Sequence, residues 1–516
     1  MIGALLFSDY GEGYSVRKDL FVAAALGLAG LPQSANAEWV EASSDHFLVY
    51  GDISEQDARD YAERLERVDR LLRTITKAPD TAAERANRVT VYVVPDMETV
   101  ERLYGGEGVG GFYRAHAQGS IAVTPRSMKR LSQYMRPQEV LFHEYTHAIL
   151  IGSSPVPYPK WLQEGFAEFF GTIEAKDNGN LIVGGLPLIR GFALAEQNQI
   201  SAEELLTADQ HKLNDVDTSH LYARGWLLVH MLMLKKERDG QLDKYMQLVA
   251  SGVPSLSAGK QAFGDLDRLD RDLKVYLRSS KFQSLEIPAN KVSGGRASVR
   301  TLRPCEAKIM PTRIRSAVGV NPKTASDVAA DARRAAAGCD SDPFVQRTLA
   351  ETEFDAKNDQ ASMTAADRAL AADSNNIMAM VYKGRVYARA KNWAEARRWF
   401  IRANRAEPNY ALPLVLYFDS YVRAGQAPTP SATNGLLRAL VLVPNDPTVR
   451  IRVVRAMVNS GDLATAKVAL APLAYGTHGN PDAVPSKILG LIEAGKDKNA
   501  ILAEMDKAKW NEIGNE

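Results

Sequence analysis

The order of apolar and polar positions divides the chain into a mixed strand-and-helix part and a purely helical part. Between residues 38 and 125, short β-rich apolar runs predict strands, and a stretch with apolar residues three and four positions apart predicts a helix. Residues 136–290 have a mostly helical pattern. We therefore expect an α+β domain with a small mixed sheet. The predicted strands are 46–50, 89–94, 110–113 and 121–124, and the predicted helices are about 54–77, 137–151, from 159, and 218–237.

From about residue 343 the pattern becomes a series of helix pairs that resembles tetratricopeptide repeats. Each pair has an apolar face that only a neighbouring pair can cover, so we predict an all-α repeat domain over 343–516, with an unrelated helical bundle as the alternative. Residues 291–342 are richer in Gly, Pro, Ser and Arg and are interpreted as a linker or connecting subdomain. The clearest repeat, 377–409, matches the family at Gly384, Tyr387, Ala396, Phe400, Ala403 and Pro408.

The first 37 residues have the pattern of a secretory signal peptide. Arg17 and Lys18 precede a short apolar run, and the small-residue motif Ala35-Asn36-Ala37 follows it. An uncleaved anchor or a buried helix is the alternative. No later segment has the pattern of a transmembrane helix. We expect an exported protein, periplasmic or secreted, with no integral membrane segment after signal cleavage.

Charge and cysteine content narrow the function classes. The formal net charge is +1 and no long basic run occurs, which argues against a nucleic-acid partner. The two cysteines, Cys305 and Cys339, are an even number in an exported protein and permit a disulfide. Two unrelated thiols are the alternative, because pairing geometry is not encoded in spacing.

The motif H-E-x-x-H at His143, Glu144 and His147 is the main chemical signal. On a helix, residues four apart project from one face, so the two imidazoles can bind one Zn²⁺. Glu144 lies beside them, where it can act as general base on a metal-bound water. A helix with two structural histidines is the alternative.

A catalytic zinc needs a third protein ligand. The three-histidine pattern H-E-x-x-H-x-x-G-x-x-H fails, because Leu150 and Ser153 stand at its Gly and last His positions. Farther along, Glu164 and Glu168 lie four residues apart on a predicted helix. Two carboxylates on one apolar helix face need a compensating cation, which a zinc site would provide.

The run W-L-x-E-G-x-A-E-F-F after H-E-x-x-H resembles the glutamate zincins of the peptidase MA clan, which include aminopeptidase N and thermolysin. The resemblance implies that Glu164 is the third ligand and that Glu168 orients a ligating histidine. It also implies that Tyr222, in Tyr222-Ala-Arg224-Gly225, stabilises the oxyanion, although a core tyrosine is an equal alternative. His220 and His230 are weaker candidates.

The strand 121–124 is a candidate for the edge strand on which this clan pairs its peptide substrate, with an ordinary buried strand as the alternative. The clan's exopeptidase signature is missing before the histidine motif. That absence leaves endopeptidase activity or specialised cleavage open.

These observations predict a zincin-like metallopeptidase domain over 38–290. The predicted function is hydrolysis of peptide bonds in a peptide or protein substrate by an exported enzyme with one Zn²⁺. The repeats would recruit the substrate or a protein partner. The alternative is a repeat-based protein-binding scaffold with a non-catalytic or non-peptidase zinc site.

Overall fold

The computed structural model describes residues 38–127, 136–153, 157–196, 199–210, 213–279, 282–475 and 484–507. The predicted signal peptide lies outside these residues. Within them, the chain folds into an α+β part with a mixed sheet and a long all-helical, repeat-like part, as the sequence predicts. No helix in the described ranges is both long and apolar enough to cross a membrane.

Six strands form the main sheet in the order β4-β5-β3-β2-β1-β9. The pairs β2/β3 and β3/β5 are parallel and the other pairs are antiparallel, so the sheet is mixed. The predicted edge strand is an inner one, because β5 pairs with β3 on one side and with β4 on the other. The strands of this sheet are β1 (Trp39–Ser43), β2 (Phe47–Asp52), β3 (Val89–Asp96), β4 (Phe112–Arg114), β5 (Ile121–Ser127) and β9 (Ser298–Thr301).

Each face of the sheet has its own apolar core, because successive side chains of a strand point to opposite faces. Val49 and Val91 point to one face, where the long helix α1 (Glu55–Thr76) covers them. Ser54 caps the start of α1 by accepting a hydrogen bond from the amide of Asp57, which satisfies a donor that the helix itself leaves free. Tyr92 points to the other face, where the first helix of the repeat part covers it.

Most helices of the α+β part pack on the same side of the main sheet as α1. A small three-stranded sheet, in the order β6-β7-β8, borders them. The helices are α1 (Glu55–Thr76), α2 (Ala82–Ala86), α3 (Met97–Tyr104), α4 (Pro137–Ser153), α5 (Lys160–Gly171), α6 (Gly191–Ala195), α7 (Ala202–Leu206), α8 (Asp215–Leu234), α9 (Gln241–Ala250), α10 (Ser255–Phe263) and α11 (Leu266–Arg278). The strands of the small sheet are β6 (Glu174–Ala175), β7 (Leu181–Val183) and β8 (Leu285–Ile287), and short 3₁₀ turns lie at Leu188–Arg190, Ala208–Gln210, Lys236–Arg238 and Ala289–Lys291.

Helices α5 and α8 cross at an unusually short distance, because glycine faces glycine there. A Cβ atom on Gly165 would lie 2.5 Å from the carbonyl oxygen of Gly225, and one on Gly225 would lie 2.8 Å from the carbonyl oxygen of Trp161. Every residue of α5 is buried. The crossing therefore holds α5 tightly between its neighbours.

The described helical region consists of six helix pairs. A close contact matches the repeat pattern, since a Cβ on Gly384 would lie 2.4 Å from the ring of Phe400. The prediction of a helical repeat array is therefore confirmed. The pairs are α12 (Pro304–Val318) with α13 (Ala325–Ala336), α14 (Pro343–Asp355) with α15 (Asp359–Ala372), α16 (Ile377–Arg389) with α17 (Trp393–Ala406), α18 (Ala411–Arg423) with α19 (Pro430–Leu442), α20 (Pro447–Ser460) with α21 (Leu463–Ala474), and α22 (Val484–Glu493) with α23 (Lys498–Lys507).

The segment 291–342 is folded rather than an extended linker. Its strand β9 pairs antiparallel with β1, and its helices α12 and α13 form the first pair of the array. Pro304 begins α12 at a position where no backbone N–H is needed, whereas Pro311 lies within the helix and removes one of its backbone donors. A disulfide joins Cys305, at the start of α12, to Cys339, just before α14.

Candidate functional site

Helix α4 carries the histidine motif. Its two histidines lie one turn apart on the same face, and their Nε2 atoms are 3.1 Å from each other. The ring planes are nearly perpendicular, at 83°. His143 is partly accessible, with 17% of its side chain exposed, whereas His147 is almost completely buried. The predicted helix therefore points both imidazoles toward one spot.

Helix α5 brings Glu164 to that same spot. Its Oε2 atom lies 3.4 Å from Nε2 of His143 and 3.5 Å from Nε2 of His147. The side chain is fully buried, and neither carboxylate oxygen has a hydrogen-bond partner among the described residues. Burial alone would raise the pKa of Glu164, but the charge of His147 and contacts with both imidazoles lower that pKa well below its usual range.

The three atoms form a triangle that fits a zinc-sized cation. A tetrahedral zinc with bonds of about 2.0–2.1 Å holds its ligand atoms about 3.3 Å apart. The three edges here are 3.1, 3.4 and 3.5 Å. A buried carboxylate without hydrogen bonds is costly unless a cation compensates its charge. Because Glu164 has no hydrogen-bond partner among the described residues, its carboxylate also fits a metal.

Glu168, one turn beyond Glu164, lies next to the outer nitrogen of His143. Its Oε1 atom is 3.6 Å from His143 Nδ1. The same oxygen accepts hydrogen bonds from Nε and Nη2 of Arg190 at 3.0 and 2.7 Å. Burial alone would lower the pKa of His143, but the pull of Glu164 and Glu168 outweighs it and leaves that pKa raised. Sequence reasoning misses Arg190, because it lies in no recognisable motif.

Tyr222 reaches the site from α8. Its ring is nearly parallel to that of His143, with centroids 6.2 Å apart, and the guanidinium of Arg190 lies 4.5 Å from its ring centre. Burial and the nearby Glu164 carboxylate raise the pKa of Tyr222 far above its usual range. The phenol therefore stays protonated and available as a hydrogen-bond donor.

Glu144 lies between the histidines in sequence and is half-buried. Its charge acts on Tyr113 of strand β4, where burial first and the Glu144 charge to a lesser degree raise the pKa of Tyr113 to about 12. Glu144 is therefore near the sheet edge formed by β4. Leu188, Ile189 and Phe192 flank Arg190 in the sequence and are exposed, with Phe192 78% exposed.

The remaining histidine candidates lie outside the cluster. His220 is 2.7 Å from Glu196. His230 contacts the hydroxyl of Tyr276 at 2.8 Å and the carbonyl oxygen of Gly184 at 3.0 Å. Burial lowers the pKa of His230 to about 4, so this imidazole is a neutral part of the core.

A second group of potential ligands lies behind α4, at His46, Glu66 and Asp69. It is already neutralised within the protein. His46 Nδ1 contacts Glu66 at 2.9 Å, and Arg73 Nε donates to both oxygens of Asp69 at 2.7 and 2.9 Å. Tyr145 of α4 also donates its hydroxyl to Asp69. This network anchors the histidine helix to α1.

The helical array touches both helices that carry the cluster. Gln163, next to Glu164, donates to the carbonyl oxygen of Tyr475 at 3.2 Å. Asn445 donates to the carbonyl oxygen of Ala148 on α4 at 3.1 Å. The array is therefore in direct contact with the frame of the site.

Comparison with known proteins adds little. No family model and no curated protein matches the chain. Among solved structures, that of Pseudomonas aeruginosa PilF is similar at 15% sequence identity with a TM-score of 0.32, covering 41% of this chain and 96% of PilF. A likeness of this size carries no argument about function.

Proposed function

We propose that this protein is a zinc-dependent hydrolase of the glutamate-zincin type that cleaves peptide bonds. The observation that carries the proposal is the buried carboxylate of Glu164, which has no hydrogen-bond partner among the described residues and faces the Nε2 atoms of His143 and His147 at 3.4 and 3.5 Å. These three residues would hold the metal. The donor set of two imidazoles and one carboxylate is that of catalytic zinc sites with an open fourth position.

When bound, zinc would supply a Lewis acid and an acidified water. The protein residues would manage the protons and the developing charge. Glu144 accepts the proton of the attacking water and passes it to the leaving amine. Tyr222 remains a phenol at neutral pH and donates a hydrogen bond to the oxyanion of the tetrahedral intermediate. Glu168, held by Arg190, fixes the ring of His143 through its Nδ1 side.

The cysteines support the proposal of an exported protein. The disulfide between Cys305 and Cys339 needs an oxidising environment to persist. Together with the signal-peptide pattern of residues 1–37, it supports export to the periplasm or the medium. The substrate would be a peptide or protein met there.

The helical array favours a second function, which is protein binding without catalysis. Stacked helix pairs form extended surfaces that suit protein partners. None of the comparisons with known proteins bears on hydrolysis, whereas the array is visible in the fold itself. In this case the metal cluster would be structural, and the array would carry the function.

Metal content and turnover separate the two functions. The wild type should bind one zinc and cleave an unfolded, fluorescently labelled protein, and E144Q should keep the zinc and lose cleavage. E164A should lose the zinc. H220A, which alters a buried histidine outside the cluster, is the control and should keep both properties. Stoichiometric zinc without cleavage of any of several unfolded proteins would favour the scaffold. Full zinc retention in E164A would refute the ligand assignment.

A further inference from the structure

A polar cavity lies between the β-sheet and the first helices of the array. Its volume is about 160 Å³. The sheet contributes Tyr50, Thr90 and Tyr92, which follow the alternation of one sheet face, and the array contributes Arg313 and Arg347. A cavity of this size has room for a small ion together with water, because one water needs only about 10–15 Å³.

Arg313, on α12, has a carboxylate partner. Its Nη1 atom lies 2.6 Å from Oε2 of Glu351 on α14. The other oxygen of Glu351 accepts a hydrogen bond from Nε2 of Gln118 at 3.0 Å. Both side chains of the ion pair are nearly buried. The carboxylate of Glu351 is therefore engaged on both of its oxygens.

Arg347, also on α14, has no such partner. None of the described residues accepts a hydrogen bond from it, and its Nε atom is buried without a partner. Its guanidinium carbon lies 4.9 Å from the ring centre of Phe344. Burial and the like charge of Arg313 lower the pKa of Arg347. A guanidinium has five N–H donors, and a buried donor that is left unused, as Nε is here, is costly.

The charges around the cavity do not balance. Arg88 is a third arginine in the lining, held by the hydroxyl of Ser43 at 2.8 Å. Among the described residues that line the cavity, none is an aspartate or glutamate. Two carboxylates lie near the lining, and each already has an arginine partner. Glu351 pairs with Arg313. Glu41, which accepts a hydrogen bond from the hydroxyl of Tyr50, pairs with Arg300. At least one positive charge therefore lacks a counterion inside a partly closed space, and an anion would supply it.

We propose that this cavity binds a small oxyanion, either a phosphate or a carboxylate group of a soluble molecule. Arg347 would be its main ligand and Arg313 would assist. The planar fork of a guanidinium matches both groups through paired, charge-assisted hydrogen bonds. The proposal is independent of the zinc cluster. A bound oxyanion would connect the sheet to α12 and α14 and thereby tie the array to the α+β part.

The test uses the full chain and two probes, inorganic phosphate and citrate. Sodium chloride at the same ionic strength is the control for general screening of charges. Thermal unfolding and calorimetry should show saturable binding of at least one probe to the wild type. R347Q should bind it roughly ten- to a hundredfold more weakly, which corresponds to the loss of charge-assisted hydrogen bonds. R402Q removes an arginine stacked at 5.1 Å on Trp399 outside the cavity and should behave like the wild type.

The stability of the unliganded variants separates a ligand role from a structural one. Without added anions, R347Q should unfold at the wild-type temperature or above it, because it removes a buried like charge. R347K keeps the charge and should bind more tightly than R347Q. The tighter probe identifies phosphate or carboxylate as the preferred group. If neither probe shows saturable binding up to about 10 mM, a concentration that would detect millimolar affinity, the proposal is overturned. Equal affinity in R347Q and the wild type would overturn it as well.

Discussion

The crossing of α5 and α8 gives the sharpest test of how packing sets the site. In G165A, the new Cβ would lie 2.5 Å from the carbonyl oxygen of Gly225 and 2.8 Å from Cγ2 of Val229. Because the nearest atom is backbone, the contact is relieved only by moving the helices. To lengthen this 2.5 Å distance to an ordinary contact of 3.4 Å, the two helices must move apart by about 0.9 Å. Glu164 immediately precedes Gly165 on α5 and would move with it.

Two magnitudes follow from this shift. Overpacking of a tight core costs about 1–3 kcal/mol. At about 2–4 °C for each kcal/mol in a domain of this size, G165A should lower the unfolding temperature by roughly 2–12 °C. Metal ligands tolerate displacements of only about 0.2 Å, so zinc affinity should also fall, by roughly ten- to a hundredfold.

Differential scanning fluorimetry and competition with a chelator measure the two effects. G490A is the matched control, because Gly490 also lies in a helix, but a Cβ atom added there would have no described neighbour within 4 Å. The stability of that variant should be unchanged or slightly higher, because alanine has a higher helix propensity than glycine. If G165A matched G490A in both stability and zinc affinity, the packing argument would be wrong.

Three further predictions concern pH, the disulfide and the contact between the two parts. Burial raises the pKa of Glu139 to about 7, so the folded state holds a proton that the unfolded state releases, and the free energy of unfolding should fall as pH rises from about 4.5 to 7. E139Q should flatten this pH dependence of thermal unfolding, and an unchanged pH dependence would contradict the raised pKa of Glu139. The disulfide closes a loop between Cys305 and Cys339, which are 34 residues apart. A double Cys→Ser variant should therefore have a free energy of unfolding in urea that is lower by about 3–4 kcal/mol, and an unchanged value would argue against the pairing. D446N should lower the free energy of unfolding by about 1–3 kcal/mol, because Asp446 caps α20 and also accepts a hydrogen bond at 2.6 Å from the backbone of the β4–β5 loop. The control is D462N, which changes an exposed cap without a contact to the sheet, and equal losses of stability in the two variants would contradict a role for that contact.

Local patterns predict most of the elements well, and the reason is visible in the histidine helix. The spacing of His143 and His147 places both side chains on one face of any helix, so their proximity needs no tertiary information. The helix pair with Gly384 and Phe400 is equally local, because the close contact lies within one repeat. In both cases the interacting residues are near in sequence.

The sequence leaves alternatives open where contacts between distant parts of the chain decide the structure. The composition of 291–342 leaves open a linker or a connecting subdomain, and it does not reveal that β9 pairs with β1 at the opposite end of the domain. The family resemblance makes 121–124 a candidate edge strand, with an ordinary buried strand as the alternative, and the pairing of β5 with both β3 and β4 agrees with the alternative. Composition and periodicity describe a segment by itself and do not reveal which distant strand satisfies its backbone hydrogen bonds.

By itself, the sequence determined the helix that carries the histidines, the repeat pattern and the chemical types of the candidate ligands. Only the tertiary structure brought the carboxylate of Glu164 within 3.5 Å of both imidazoles, set Arg190 against Glu168, and left Arg347 without a described partner beside the sheet. The physical reason is that these distances depend on how α5, α8 and α14 pack. That packing is decided by close contacts such as the glycine crossing at Gly165, between residues far apart in the chain.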